Sequence, residues 1–197
     1  MEKRVEHVHD QLAAFYPEYT AQGNMTRLIY QDPEADKTSS MIDPRQVESV
    51  KRALARFYAV DLRAQAEILR RTYHRRILLH FFLPDYRVFV PFKLRESRIS
   101  GDACYGYVDI DHVARLVPGN KPYVLMRSGE RLSLYSSIST ARLAYFMGWE
   151  IVSDFACAPD ELDLVHALTI LRGVFAGDSQ PKQGPSRKRQ AMFSPNK

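Results

Sequence analysis

Two stretches decide the fold: residues 76–92, RILLHFFLPDYRVFVPF, and residues 123–135, YVLMRSGERLSLY. In the first, Ile77 to Leu83 is nearly all apolar, Pro84-Asp85 supplies a preset φ and a polar partner for a tight turn, and Tyr86 to Phe92 runs back. In the second, Ser128-Gly129 separates two runs that alternate with the two-residue period of a half-buried sheet. Each reads as a β-hairpin, and Tyr105 to Ile110 is a third strand candidate. The joining loops hold Lys93, Arg95, Arg98, Lys121, Arg127 and Arg131, so the sheet would carry cations at turns that can reach phosphates.

Outward from this centre the pattern becomes helical. Val5, Val8, Leu12 and Phe15 recur three to four residues apart and Pro17 closes the segment, which predicts a short amphipathic helix; residues 33–40 turn polar and read as a linker. Asp43-Pro44 has the chemistry of a helix start, with Val47, Val50, Leu54 and Phe57 on one face. Asp61 is placed to cap a run to about Tyr73 with Leu62, Ala66 and Leu69 buried; one helix or two is left open. Ser139 is expected to cap a helix turning Leu143, Phe146, Met147 and Ile151 to the core, with Trp149 on a neighbouring stripe. Pro159-Asp160-Glu161 opens another, carrying Leu162, Val165, Leu168 and Leu171, with Gly177 just past its end.

The expected class is therefore α+β, a β-hairpin-rich central sheet with flanking amphipathic helices. It divides into a helical arm and linker over residues 1–38, a core over 39–177, and a disordered basic tail over 178–197. A chain of 197 residues that is 45% hydrophobic can bury a sizeable core as one domain. Cys104 and Cys157 are far apart, which excludes a disulfide framework and a four-ligand zinc site; Cys104 is expected in the core. With no leader pattern and no apolar run of spanning length, the expectation is a cytoplasmic protein without a membrane partner.

The net charge of +5 is unevenly spread. Residues 178–197 hold five Lys or Arg against one acid, an excess of four, and residues 44–76 hold nine against three, an excess of six. Concentrated charge of this kind points to nucleic acid more than the total does. Arg70, Arg71, Arg75 and Arg76, interleaved with Tyr73 and His74, are candidate phosphate contacts, joined by Lys93, Arg95, Arg98, Lys121 and Arg127 on the loops and Arg187, Lys188 and Arg189 in the tail. Asp109-x-Asp111-His112 reads as a polar turn capping the next element, and His7-x-His9 as too few ligands for a metal site. No Gly-rich phosphate loop, nucleophile elbow or spaced acid pair argues for an enzyme, and no cofactor is expected.

Taken in order, Arg76-Ile77-Leu78-Leu79, Val88-Phe89-Val90-Pro91, Cys104-Tyr105-Gly106-Tyr107-Val108, Ser128-Gly129 and the run into Tyr145 resemble the competence transcription factor (ComK) family of Gram-positive bacteria, over roughly Arg52 to Val152. Three departures mark a diverged member: Phe92-Lys93 after Pro91, tyrosine after Cys104 where tryptophan is usual, and a helical arm in place of an N-terminal β segment. A looser resemblance runs to the LytTR type of DNA-binding domain. The resemblance implies a sequence-selective transcriptional activator on AT-rich duplex DNA, acting as a homo-oligomer and controlled by a proteolytic adaptor. The rival expectation is a non-catalytic protein-interaction module that docks partners through its amphipathic terminal helices.

Overall fold

A computed structural model describes residues 4–32, 37–74 and 80–155. Its centre is a six-stranded antiparallel sheet. The strands are β1 (Leu12–Thr20), β2 (Gly23–Asp32), β3 (Lys37–Asp43), β4 (Phe81–Phe82), β5 (Val88–Lys93) and β6 (Tyr105–Asp109), in the order β3-β2-β1-β6-β5-β4. A second, three-stranded antiparallel sheet follows: β7 (Val113–Val117), β8 (Tyr123–Met126) and β9 (Arg131–Ser133). The helices are α1 (Val47–Phe57), α2 (Leu62–Tyr73) and α3 (Ile138–Phe155). The expected α+β class holds.

Both faces of the large sheet are covered, which explains why its strands read as apolar runs. Side chains alternate across a strand, so Phe15, Leu28, Phe89 and Tyr107 join a core with Val47, Val50 and Leu54 of α1. Their neighbours Ala14, Ile29, Val90 and Val108 join the opposite core with Ala141, Tyr145 and Ile151 of α3 and Leu116, Val124 and Leu132 of the small sheet. Gly148 lets α3 lie close, since a Cβ there would stand 2.8 Å from Ile110 Cδ1 and 2.9 Å from Val90 Cγ2. Each fully buried aliphatic side chain contributes about 1.5–3 kcal/mol.

The N-terminal segment corrects the sequence reading. Residues 12–20 form a strand where a helix is expected, preceded by two single 3₁₀ turns, Val5–His7 and His9–Gln11, and β3 over residues 37–43 takes in residues 37–40 of the expected linker. The helical arm is thus absent, and residues 4–32 are part of the main fold. Pro17 is tolerated because it lies beyond Ala14 and Phe15, the two positions where β1 pairs with β6. Asp43 does not cap α1. Fully buried, it accepts from Val5 N at 3.0 Å and from Arg45 N and Nε at 3.0 and 2.9 Å, while Arg45 forks onto Glu6 at 2.8 and 2.7 Å, tying the N-terminus to β3.

Other expectations hold or shift by a residue or two. The β4–β5 and β8–β9 hairpins form, and Gly129 takes the positive φ of 89° that its three-residue loop needs. Asp61 caps α2, accepting from Arg63 N and Ala64 N at 2.8 and 3.1 Å, and α1 and α2 are separate helices. The first turn of α3 is capped by Ser137, not Ser139: Ser137 Oγ accepts from Thr140 N at 3.1 Å. Met147 and Ile151 of α3 are buried, but Leu143 and Phe146 are exposed. Cys104 is half-buried with its thiol on the Asp102 carbonyl. The expected helix from Pro159 and the basic tail lie outside the described residues. Among those described, no helix is long and apolar enough to cross a membrane.

Candidate nucleic-acid interface

The candidate cations fall into three groups. Arg70 and Arg71 are exposed on the last turn of α2, where cations complement the helix dipole, and His74 ends the helix with a φ of 52°. Arg75, Arg76, Arg187, Lys188 and Arg189 lie outside the described residues. Lys93 ends β5 half-buried, its carbonyl accepting from Tyr135 N at 2.8 Å. Arg98 is exposed, its guanidinium 4.6 Å from the Tyr19 ring centre.

Arg95 is not the exposed loop arginine that was expected. Only 8% exposed, it donates to Asn24 Oδ1 at 2.7 Å and to the Ala103 carbonyl, and lies 3.9 Å from the Tyr19 ring centre. Tyr19 in turn donates to Asp102 and accepts from Arg98 N at 2.8 Å. This network fastens the loop between β5 and β6 onto the β1–β2 hairpin. A guanidinium so engaged has no fork left to offer a base.

Lys121 and Arg127 are exposed at the two ends of β8, in the turns on either side of it. Between them lies a face that sequence reading missed. Leu116, Val124 and Leu132 form the buried row of the small sheet, so the flanking rows point outward: Arg115 opposite Leu125 opposite Arg131, and Val117 opposite Tyr123 opposite Ser133. Arg115 and Arg131 are exposed on the two outer strands, about 10 Å apart by two strand spacings. Arg131 sits 5.2 Å from the Tyr123 ring centre. Glu130, in the turn, is the one acid between residues 113 and 135; burial pushes its carboxyl upward in pKa. The signal that leads to this face is β7, where exposed Arg115 precedes buried Leu116.

The basic excess of residues 44–76 is not one surface. Arg45 is engaged by Asp43 and Glu6, and Lys51 is folded inward, its Nζ 3.0 Å from Tyr107 Oη and 4.5 and 5.0 Å from the Tyr107 and Phe81 ring centres. Burial lowers the Lys51 pKa. Arg52, Arg56 and Arg63 line a shallow depression between α1 and α2, with Arg63 paired to Glu67 at 3.7 Å.

Asp109-x-Asp111-His112 is structural. Asp109 is buried against Arg87 at 3.0 Å and caps the 3₁₀ turn Ile110–His112; burial raises its pKa to about 6 while Arg87 pulls the other way. Arg87 also donates to the carbonyls of His9 and Leu12 at 2.8 and 2.6 Å, locking the entry to β1.

No family model, curated protein or solved structure matches this chain.

Proposed function

We propose that the chain is a sequence-selective DNA-binding regulator that meets duplex DNA with the outward face of its three-stranded sheet. The observation that carries this reading is the row Arg115, Leu125, Arg131 with Tyr123 beside it and Lys121 and Arg127 at its ends: cations on a rigid ribbon with no acid on the face. Arginine forks take phosphate oxygens and, where a strand enters a groove about 12 Å wide, the edge of guanine, while Tyr123 offers a ring and a hydroxyl to sugar or base. Arg98 and the Arg70-Arg71 pair extend the contact to neighbouring phosphates. A preference for AT-rich sites, assembly as a homo-oligomer, an adaptor that governs turnover and a cytoplasmic location come from the resemblance and complete the proposal.

The test is a gel-shift titration of the parent and an Arg115→Ala/Arg131→Ala variant against AT-rich and GC-rich duplexes at several salt concentrations. The parent binds with a steep salt dependence, and the variant loses about 0.9 of slope per phosphate contact removed, near 2 in all, with its thermal midpoint unchanged. A variant that binds like the parent refutes the assignment of this face. A second reading, a non-catalytic protein-interaction module, draws on Leu143 and Phe146, exposed three residues apart on α3. Absence of salt-dependent DNA binding in the parent would favour it.

A further inference from the structure

Three donor atoms meet at the N-terminal entry to the fold, on the α1 side of the large sheet and away from the small one. His9, on the second 3₁₀ turn, brings Nδ1 to 2.7 Å from Asp10 Oδ1 and 2.9 Å from Tyr58 Oη, and Tyr58 donates to the same Asp10 oxygen at 2.8 Å. The three edges of this triangle are nearly equal. At most two protons, the phenol's and one on Nδ1, are there to bridge them, so one edge closes only by sharing a proton. Among the described residues no group of three His, Cys, Asp or Glu side chains could hold an ion. Here the third donor is a phenol, brought by the C-cap of α1 from 49 residues beyond His9.

The triangle is held from behind. Phe57 packs on the His9 ring with centres 3.7 Å apart, and Tyr58 meets that ring edge-on at 5.5 Å. Arg87 donates to the His9 carbonyl at 2.8 Å, and its own charge is answered by Asp109 at 3.0 Å. Tyr58 is fixed at the end of α1, its N–H on the Leu54 carbonyl at 3.3 Å. Outer support of this kind is what orients the ligands of a metal. The front stays open, since the Asp10 side chain is 67% exposed and leaves room for water on the ion's remaining positions.

The edge length selects the ion. Donors about 2.1 Å from a metal stand roughly 3.0 Å apart on an octahedral or tetragonal face and roughly 3.4 Å apart on a tetrahedral one. Edges of 2.7, 2.8 and 2.9 Å fit the first. An imidazole nitrogen with a carboxylate and a phenolate oxygen then suits copper(II), which N and O donors hold most tightly among the first-row divalent ions. We propose that His9 Nδ1, Asp10 Oδ1 and Tyr58 Oη form one face of a binding site for a transition-metal ion of tetragonal or octahedral preference, copper(II) above the others. Tyr58 is a phenol until the ion arrives, so coordination releases its proton to solvent. The site is independent of the DNA-binding reading.

The experiment titrates copper(II) into the full chain and into its Tyr58→Phe and Asp10→Asn variants against a competing chelator, following the visible phenolate-to-copper charge-transfer band. The parent is expected to take up one ion per chain with this band. Tyr58→Phe loses the band, and both variants bind at least about tenfold more weakly. Asp10→Asn, at an exposed position, leaves the fold intact, so its loss reads binding alone. A parent without the band overturns the proposal. So do variants that bind copper(II) as the parent does, since the triangle would then be a hydrogen-bonded clasp only.

Discussion

Arg95 donates to Asn24 and Ala103 and covers the Tyr19 ring, while Arg98, three residues on, stands exposed on the same loop. Both flank Glu96, and two of the three groups that hold Arg95, Asn24 and the Tyr19 ring, come from a hairpin more than 70 residues earlier in the chain. This is why the Arg95 position was illegible, whereas the cap at Asp61 depends only on the two amides that follow it and was readable from sequence. The difference is testable. Arg95→Lys keeps the charge but replaces a planar fork by a point donor that cannot hold both Asn24 and the Ala103 carbonyl, so the chain loses about 2 kcal/mol of stability. Equilibrium urea unfolding reads this directly; an unchanged midpoint would mean that Arg95 is not structural. DNA affinity of the folded Arg95→Lys protein stays at the parent's level.

Among the elements, β1 shows where periodicity misleads. Val5, Val8, Leu12 and Phe15 have the spacing of a helix face, yet Leu12 to Phe15 is a run buried on both sides of a central strand, which carries no alternation to betray it. The hairpins at Pro84-Asp85 and Ser128-Gly129 were legible because turn chemistry is local, and β7 was not because its partner strand is needed to give Arg115 a face. α3 was found, but its stripe was misassigned at Leu143 and Phe146, since an apolar helix fixes no single buried side from sequence. β1 and β6 approach closely at Gly106. A Cβ on Gly106 would collide with Tyr16 Cβ and stand 2.9 Å from the Phe15 carbonyl oxygen, atoms close to or in the backbone that cannot swing aside. Gly106→Ala is therefore expected to cost about 3 kcal/mol, the upper range for overpacking, with a matching fall in denaturation midpoint; a loss under about 1 kcal/mol would show that the two strands part easily.

For the whole molecule, charge and fold are organised separately. The large sheet spends its arginines internally: Arg45 on Asp43 and Glu6, Arg87 on Asp109, Arg27 on Glu18. Exposed cations collect on the small sheet and on the outer sides of α1 and α2, and the tail over residues 178–197 carries an excess of four within a total of five. Deleting residues 181–197 is accordingly expected to weaken duplex binding a fewfold, alike on preferred and scrambled sites, because tail cations meet phosphates without reading bases. Gel shifts on both sites give the ratio, and a changed ratio would place readout in the tail.

The narrow joint between β1 and β6 also sets a schedule. Phe15 pairs with Tyr107, so during synthesis the β1–β3 meander is complete long before its central partner exists. At roughly 5–20 residues per second, the ribosome needs about 3–13 s to supply the chain between β3 and the end of β6. Throughout that interval the inner edge of β1 and the face of Ala13 and Ala14 that α3 and the small sheet later cover stay open, while α1 already shields the Phe15 side, so the nascent meander carries an unpaired edge and a half-covered apolar face.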